Sequence, residues 1–344
     1  MIKLPKLFDM HCHLRDPGQT HKEDIITGCA AARAGGYGAV VAMPNTSPVC
    51  DNPETVRYVT KKAQVSGGGV RVYPAAAITV KSAGEELCDF DALSEAGAAA
   101  FTDDGRPVSS AAVMYRAMLR CAEKDYLIIS HAEELSLAQL CPPLAEPVMV
   151  ARDLLLAEET GCRLHIAHVS TERTLDHIRR AKARGVRVTV ETCPHYFSLT
   201  REDYLRMGVN AQMNPPLARR DDANAVIEAL RDGTIDCIST DHAPHSADEK
   251  AQTKPPNGIT GLETAFSVGY TYLVKAGHIT LGRLCELMSD VPAKILGVAP
   301  PQGTFSAELE ESYVWNAGES KSKSKNSPYD GIKLYGRILP NDVI

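Results

Sequence analysis

Two histidines separated by one residue, His11 and His13, are the first residues in this chain whose spacing can do chemistry. Residues two apart on an extended strand point the same way, so both imidazoles can reach one cation. Alone the pair is ambiguous, since an isolated histidine on an apolar face is usually a satisfied core residue. It does not stand alone. Asp103-Asp104, His131, His168 and Asp241-His242 each follow a separate short apolar run. If those runs are strands of one barrel, four histidines and two carboxylates converge on one mouth. Four nitrogens and two oxygens exceed what one tetrahedral zinc uses, which points to two metals sharing a bridging ligand and a hydroxide. Asp104 is the candidate bridge. Such a centre lowers the pKa of water to about 7 and polarises a carbonyl oxygen, which is hydrolytic chemistry on an amide or ester. Asp241, as ligand and catalytic base, is placed to take the nucleophile's proton and pass it to a leaving nitrogen.

The elements that must position these groups are legible in the hydrophobic pattern. Eight apolar runs alternate with segments of helical period: Leu7 to Leu14, Ala39 to Met43, Val70 to Ile78, Ala98 to Phe101, Tyr126 to Ser130, Arg163 to Ala167, Val186 to Glu191 and Thr234 to Ser239. Repeated βα alternation implies a parallel sheet, and eight strands close a (β/α)8 TIM-type barrel of the α/β class. Helices are expected over Lys22 to Ala34, Val150 to Thr160 and Glu172 to Ala183; the first and last run into the glycines Gly35-Gly36 and Gly185, suited to helix ends. Beyond Val298 the pattern changes to Pro300-Pro301, a Ser/Lys tract over Glu319 to Ser327 expected to be a solvated loop, and partial alternation over Ile332 to Leu339. The expected division is a barrel over 1–299 and a reduced C-terminal β annex over 300–344.

The totals narrow the class of function. A net charge of −6 leaves no excess of Lys and Arg to neutralise a phosphate backbone or an anionic membrane, so no nucleic-acid or membrane partner is expected. No apolar stretch reaches the roughly 18 residues of a spanning helix, and the first residues lack the apolar core of a signal peptide; a cytoplasmic enzyme is expected. The ten cysteines are scattered singly, several inside apolar runs, which reads as reduced thiols. Cys12, between the two histidines, should turn to the opposite face.

Several longer segments carry a resemblance. Asp9 to Gly18 (DMHCHLRDPG), Met43 to Thr46, Phe101 to Gly105, Ser130 to Glu133, His168 to Thr171, Met213 to Leu217 and Thr240 to His245 occur in the order found in dihydroorotases of the amidohydrolase superfamily, which the chain resembles over most of residues 7 to 299. In hydantoinases, dihydropyrimidinases and allantoinases a carboxylated lysine bridges the metals, and no lysine stands at the end of the fourth run. The resemblance is to the subgroup with a bridging aspartate, and the 27-residue step to His131 selects Asp104 over Asp103. It implies His11, His13, Asp104, His131, His168 and Asp241 as metal ligands, and two divalent cations, zinc being expected although such ligands also suit manganese or cobalt.

The resemblance also implies interconversion of (S)-dihydroorotate and N-carbamoyl-L-aspartate in de novo pyrimidine biosynthesis, with Arg15, Asn45 and His245 on the substrate carboxylate and Asn214 on the ring. Arg15 supports this independently, because its fork suits a carboxylate and hydantoins and allantoin carry no equivalent group. The competing reading for Arg15 is an ion pair with Asp16 or Asp24. His195, Glu133 and Glu134 receive no ligand role, and the loop His245 to Gly258 is expected to lie over the mouth. Family members usually place several β-sandwich strands before the His-x-His strand, whereas eight residues precede Asp9 here. The annex is therefore expected either to consist of the segment Tyr313 to Leu339 or to be completed by another chain. Two alternatives remain: another cyclic amidohydrolase, hydantoinase- or allantoinase-like, and an inactive scaffold for aspartate carbamoyltransferase. A homo-oligomer is compatible with each.

Overall fold

A computed structural model describes residues 1–340 of the chain; the last four residues of the expected annex lie outside the described residues. Eight parallel strands follow one another in sequence order: β1 Leu7–Cys12, β2 Tyr37–Ala42, β3 Arg71–Ala76, β4 Ala100–Phe101, β5 Leu127–Ser130, β6 Arg163–Ile166, β7 Val188–Thr192 and β8 Cys237–Ile238. Each lies within or overlaps one of the eight apolar runs. The sheet curls into a nearly closed barrel. Across the seam, His13 N donates to His242 O at 2.8 Å, and the Asp9 carboxylate accepts from Thr240 N at 2.8 Å and from its hydroxyl at 2.6 Å.

Alternation sorts the strand residues into two layers. Phe8, Met10, Val41, Ala75, Ile129 and Cys237 fill the barrel interior, closed from below by Ile295 and Leu296 of the helix Asp290–Leu296. Leu7, Val40, Ile128, Leu164 and Val190 pack outward against the crossover helices. On β1 the parity changes. Met10 faces inward but Cys12 belongs to the outer layer, its thiol donating to Val41 O, and the β1–β2 register shifts between Asp9 and Cys12. A local irregularity of this kind re-aims side chains, and here it gives His11 and His13 the inner face while Cys12 turns away.

The helix Glu172–Ala183 keeps its expected bounds, N-capped by Thr171, and Gly185 takes the left-handed conformation beyond it. Two others differ at the start. The first begins at Ile25 because Asp24 forms a capping box with Thr27, and Glu23 is drawn into a separate network; the helix expected from Val150 begins at Pro142, where proline at the first turn sacrifices no hydrogen bond.

The small sheet is built from both ends of the chain. Ile2–Pro5 pairs antiparallel with Thr304–Glu308, which pairs with Arg337–Ile338, while Tyr313–Val314 pairs with Lys333–Leu334. The N-terminal strand, for which the sequence reading made no allowance, thus lies beside the tail. Phe305 seats this sheet on the barrel, its ring edge-on to Phe266 at 5.2 Å.

The expectation of a solvated loop over Glu319 to Ser327 is corrected. Ser322, Ser324, Asn326 and Ser327 are buried, and the backbone N–H groups of Lys321, Ser322 and Lys323 donate to the carboxylates of Glu263 and Glu23. Carboxylates remote in sequence, Glu23 buried and Glu263 half-buried, satisfy this polar tract, which composition alone could not reveal.

Candidate metal centre

The six proposed ligands meet at the C-terminal mouth of the barrel, all buried. Asp104 lies at the centre: its Oδ1 is 3.3 Å from His11 Nε2, 3.3 Å from His131 Nδ1 and 3.8 Å from His168 Nε2, and its Oδ2 is 3.4 Å from His13 Nε2. Asp241 Oδ1 lies 3.2 Å from His13 Nε2 and 3.6 Å from His11 Nε2. Two overlapping groups, His11–Asp104–His168 and His11–His13–Asp241, each present ligand atoms within 4.8 Å of one another. Two of these residues sit in left-handed backbone, His168 at φ 38° and Asp241 at φ 45°. Side chains rarely adopt such conformations unless the surroundings impose them, and they concentrate at functional sites.

The outer nitrogens of three histidines are committed. His11 Nδ1 donates to Glu191 Oε1 at 2.8 Å, His13 Nδ1 donates to Asn45 Oδ1 at 2.8 Å, and His131 Nε2 faces Glu133 Oε2 at 3.5 Å. Each contact turns the opposite nitrogen toward Asp104, and such second contacts orient a metal-binding imidazole. A cation fits this arrangement. His11 Nε2 and Asp104 Oδ1 are buried without a hydrogen-bond partner, and His131 Nδ1 faces His168 Nε2 at 2.8 Å. Without a cation the cluster must hold protons: burial pushes the Asp104 carboxyl up, but the adjacent His11, together with His131 and His168, holds it well below the usual range. Burial lowers the His11 imidazole, yet Asp104 and Glu191 hold it well above its usual value.

On the rim, Arg15 is buried in left-handed backbone at φ 58°, its Nε donating to Pro244 O at 3.3 Å and its Nη2 to His245 Nε2 at 3.2 Å. Burial and the Arg15 charge push His245 down to about 3, so it accepts as a neutral ring. The ion-pair reading of Arg15 fails. Asp16 binds Lys62 at 2.6 Å and Asp24 binds Lys323 at 2.6 Å, and among the described residues no carboxylate comes within 4.0 Å of the Arg15 guanidinium. Asn214 Nδ2 donates to Glu133 Oε2 at 3.0 Å, which turns its carbonyl oxygen away from that carboxylate.

Glu133, given no ligand role from the sequence, therefore faces the site, while Glu134 caps the helix Leu135–Ala138. Glu191 was not singled out, although a carboxylate ending an apolar run demands a buried partner, and that signal was present. Asp103 accepts from Ile78 N and Thr79 N and stays out of the ligand cluster. His242 also points elsewhere, its Nδ1 accepting from Gly261 N at 3.1 Å. His195 packs edge-on against Tyr196, and burial pushes it down to about 4. The loop after His245 is pinned at its base: Lys250 donates to Pro256 O at 2.9 Å and Gly258 N to Gln212 O at 2.9 Å.

Comparison with known proteins gives the same family from two directions. A family model described as Dihydro-orotase-like matches residues 1–141. Proteins named dihydroorotase from Acetivibrio thermocellus and Ruminiclostridium cellulolyticum are each 47% identical, over 98% and 97% of this chain and 85% and 83% of theirs. One from Bacillus licheniformis is 42% identical over 96% of this chain and 83% of its own. Among solved structures, the L-hydantoinase (dihydropyrimidinase) from Arthrobacter aurescens superimposes with a TM-score of 0.88 at 23% identity, covering 98% of this chain and 83% of that one, a likeness of fold. The chain belongs to the dihydroorotase family of the amidohydrolase superfamily.

Proposed function

We propose that the chain interconverts (S)-dihydroorotate and N-carbamoyl-L-aspartate, acting as a cyclic amide hydrolase of de novo pyrimidine biosynthesis. The observation that carries this reading is Arg15, a buried guanidinium beside the ligand cluster with no carboxylate within 4.0 Å among the described residues. Burial pushes it down to about 10, so it stays charged at neutral pH and its free donors suit an anionic substrate group. His11, His13, Asp104, His131, His168 and Asp241 would hold two divalent cations, zinc in our reading. When bound, these would polarise the scissile carbonyl and lower the pKa of water to about 7.

The protein's own groups do the rest. Arg15 and His245 receive the ring carboxylate, with the Asn45 amide NH2 directed to the same group because its carbonyl is taken by His13. Asn214 offers its carbonyl oxygen to a ring N–H, since Glu133 holds its NH2. Asp241 accepts the proton of the attacking water; as the amide C–N bond breaks, it returns that proton to the leaving ring nitrogen. We place the enzyme in the cytoplasm, with a second copy of the chain or aspartate carbamoyltransferase as candidate partner; among the described residues no helix is long and apolar enough to cross a membrane.

The test is metal content with turnover. Two divalent ions per chain are expected, with ring opening of dihydroorotate far exceeding that of hydantoin or allantoin. Fully metal-loaded protein that leaves dihydroorotate untouched, alone or with aspartate carbamoyltransferase, would overturn the proposal. Arg15→Lys keeps the charge but loses the fork, and is expected to raise KM for dihydroorotate by about 10- to 100-fold with a smaller effect on kcat. An unchanged KM in steady-state kinetics would remove Arg15 from the substrate site.

A further inference from the structure

The Ser/Lys tract is fastened to both loops that carry the carboxylate-binding pair. Toward the loop that follows Arg15, Lys323 Nζ donates to Thr20 O and to Asp24 Oδ2 at 2.6 Å each, and Ser324 Oγ donates to Lys22 O at 2.6 Å. Toward the loop of His245 the link is one buried side chain, Asn326. Its Oδ1 accepts from His245 N at 3.2 Å, its Nδ2 donates to Gly258 O at 3.0 Å, and its own carbonyl accepts from Thr260 N at 3.0 Å. Gly258, at φ 135°, lies so close that a Cβ there would stand 2.5 Å from Ala243 O. The two backbone segments 243–245 and 258–260 are thus held in contact, and Asn326 supplies the amide that bridges them. Among the described residues, the side-chain polar contacts of the His245 ring are to Arg15 and to Glu249 Oε2 at 3.4 Å. What sets that ring is therefore its backbone.

We infer that Asn326 is a positioning residue for the substrate-carboxylate site: it holds His245, and through it the Arg15 guanidinium, in the arrangement that receives an anion. The inference rests on the reading of Arg15 and His245 given above, and adds that the tail, remote from them in sequence, sets substrate specificity. Asn326 is bonded to backbone groups of residues 243–245 and 258–260 and has no place among the residues assigned to substrate or cation. Its loss should blunt recognition of the carboxylate and spare the hydrolytic centre.

The experiment compares inhibition by orotate, a planar ring bearing the carboxylate, with inhibition by its methyl ester, in the metal-loaded enzyme and in Asn326→Ala and Asn326→Ser. The wild type should prefer orotate. Both variants are expected to lose about tenfold in that preference, the scale of one hydrogen bond to a charged group. Ester inhibition, metals per chain and kcat should stay near wild type while KM for dihydroorotate rises. The serine variant, which retains a hydroxyl donor and acceptor, decides the matter should the alanine variant not fold. An unchanged preference, or orotate and ester weakened in parallel, would overturn the positioning role alone. A wild type without any preference would overturn the Arg15 and His245 reading itself, and this inference with it.

Discussion

Asp104→Ala is expected to abolish turnover and to cost the protein one of its two metal ions more readily than the other. One carboxylate reaches four imidazoles, Oδ2 toward His13 and Oδ1 toward His11, His131 and His168, so it is the group common to both halves of the cluster. Removing it leaves His13 with Asp241, enough to retain a cation on that side, whereas His131 and His168 lose their carboxylate. Metal analysis of the purified variant beside steady-state assays checks both halves. Full occupancy with two ions would place the bridge on another residue. Asp104→Asn sharpens the result: the amide keeps the shape but offers a neutral oxygen, so it should recover fold stability without recovering turnover. The metal-free protein provides the converse, because cations must displace the protons that Asp104 and His11 hold between them; proton release on metal addition is expected at neutral pH.

Much of this was legible in the chain because the barrel writes itself locally. Most strand residues are buried on both faces, so the strands read as apolar runs, and each working group stands where such a run ends. What escaped the sequence depends on long-range pairing. The parity change on β1 between Met10 and Cys12 rests on the seam with residues 240–242 and on the shifted register to β2, and no local pattern marks it. Ile2–Pro5 is short and partly polar, and becomes a strand only because Thr304–Glu308 is beside it. Ser322 and Asn326 carry the composition of a solvated loop; they are buried because Glu23 accepts from Ser322, while Gly258 and His245 occupy the Asn326 amide. Glu133 and Glu191 were readable only as carboxylates near strand ends: Glu133 meets the imidazole of His131 beside it, whereas Glu191 meets those of His11 on β1 and His165 on β6, a pairing only the closed barrel makes.

Asp241→Ala is expected to lower kcat by about a thousandfold or more, the range for removal of a positioned proton carrier, while orotate still binds at the Arg15 site. Burial pushes the Asp241 carboxyl up, but the hydrogen bond to His13 and the charges of His11, His13 and His168 bring it down to about 2, so it is ionised and ready to accept a proton at neutral pH. Activity within tenfold of wild type would sink its assignment as the shuttle. A companion substitution separates chemistry from backbone. Asp241 is held at φ 45°, where a Cβ costs roughly 1–2 kcal/mol and glycine adopts the conformation freely. Asp241→Gly should therefore be at least as stable as Asp241→Ala in denaturant melts, the reverse of the usual order, while sharing its loss of turnover. An alanine variant more stable by the ordinary 0.5–1 kcal/mol, roughly the interior cost of glycine, would mean that the left-handed turn is not imposed by the barrel. The stability order and the rate thus report on different things. The first measures how firmly the turn after β8 is bent, and the second whether the carboxylate that this bend delivers carries the proton.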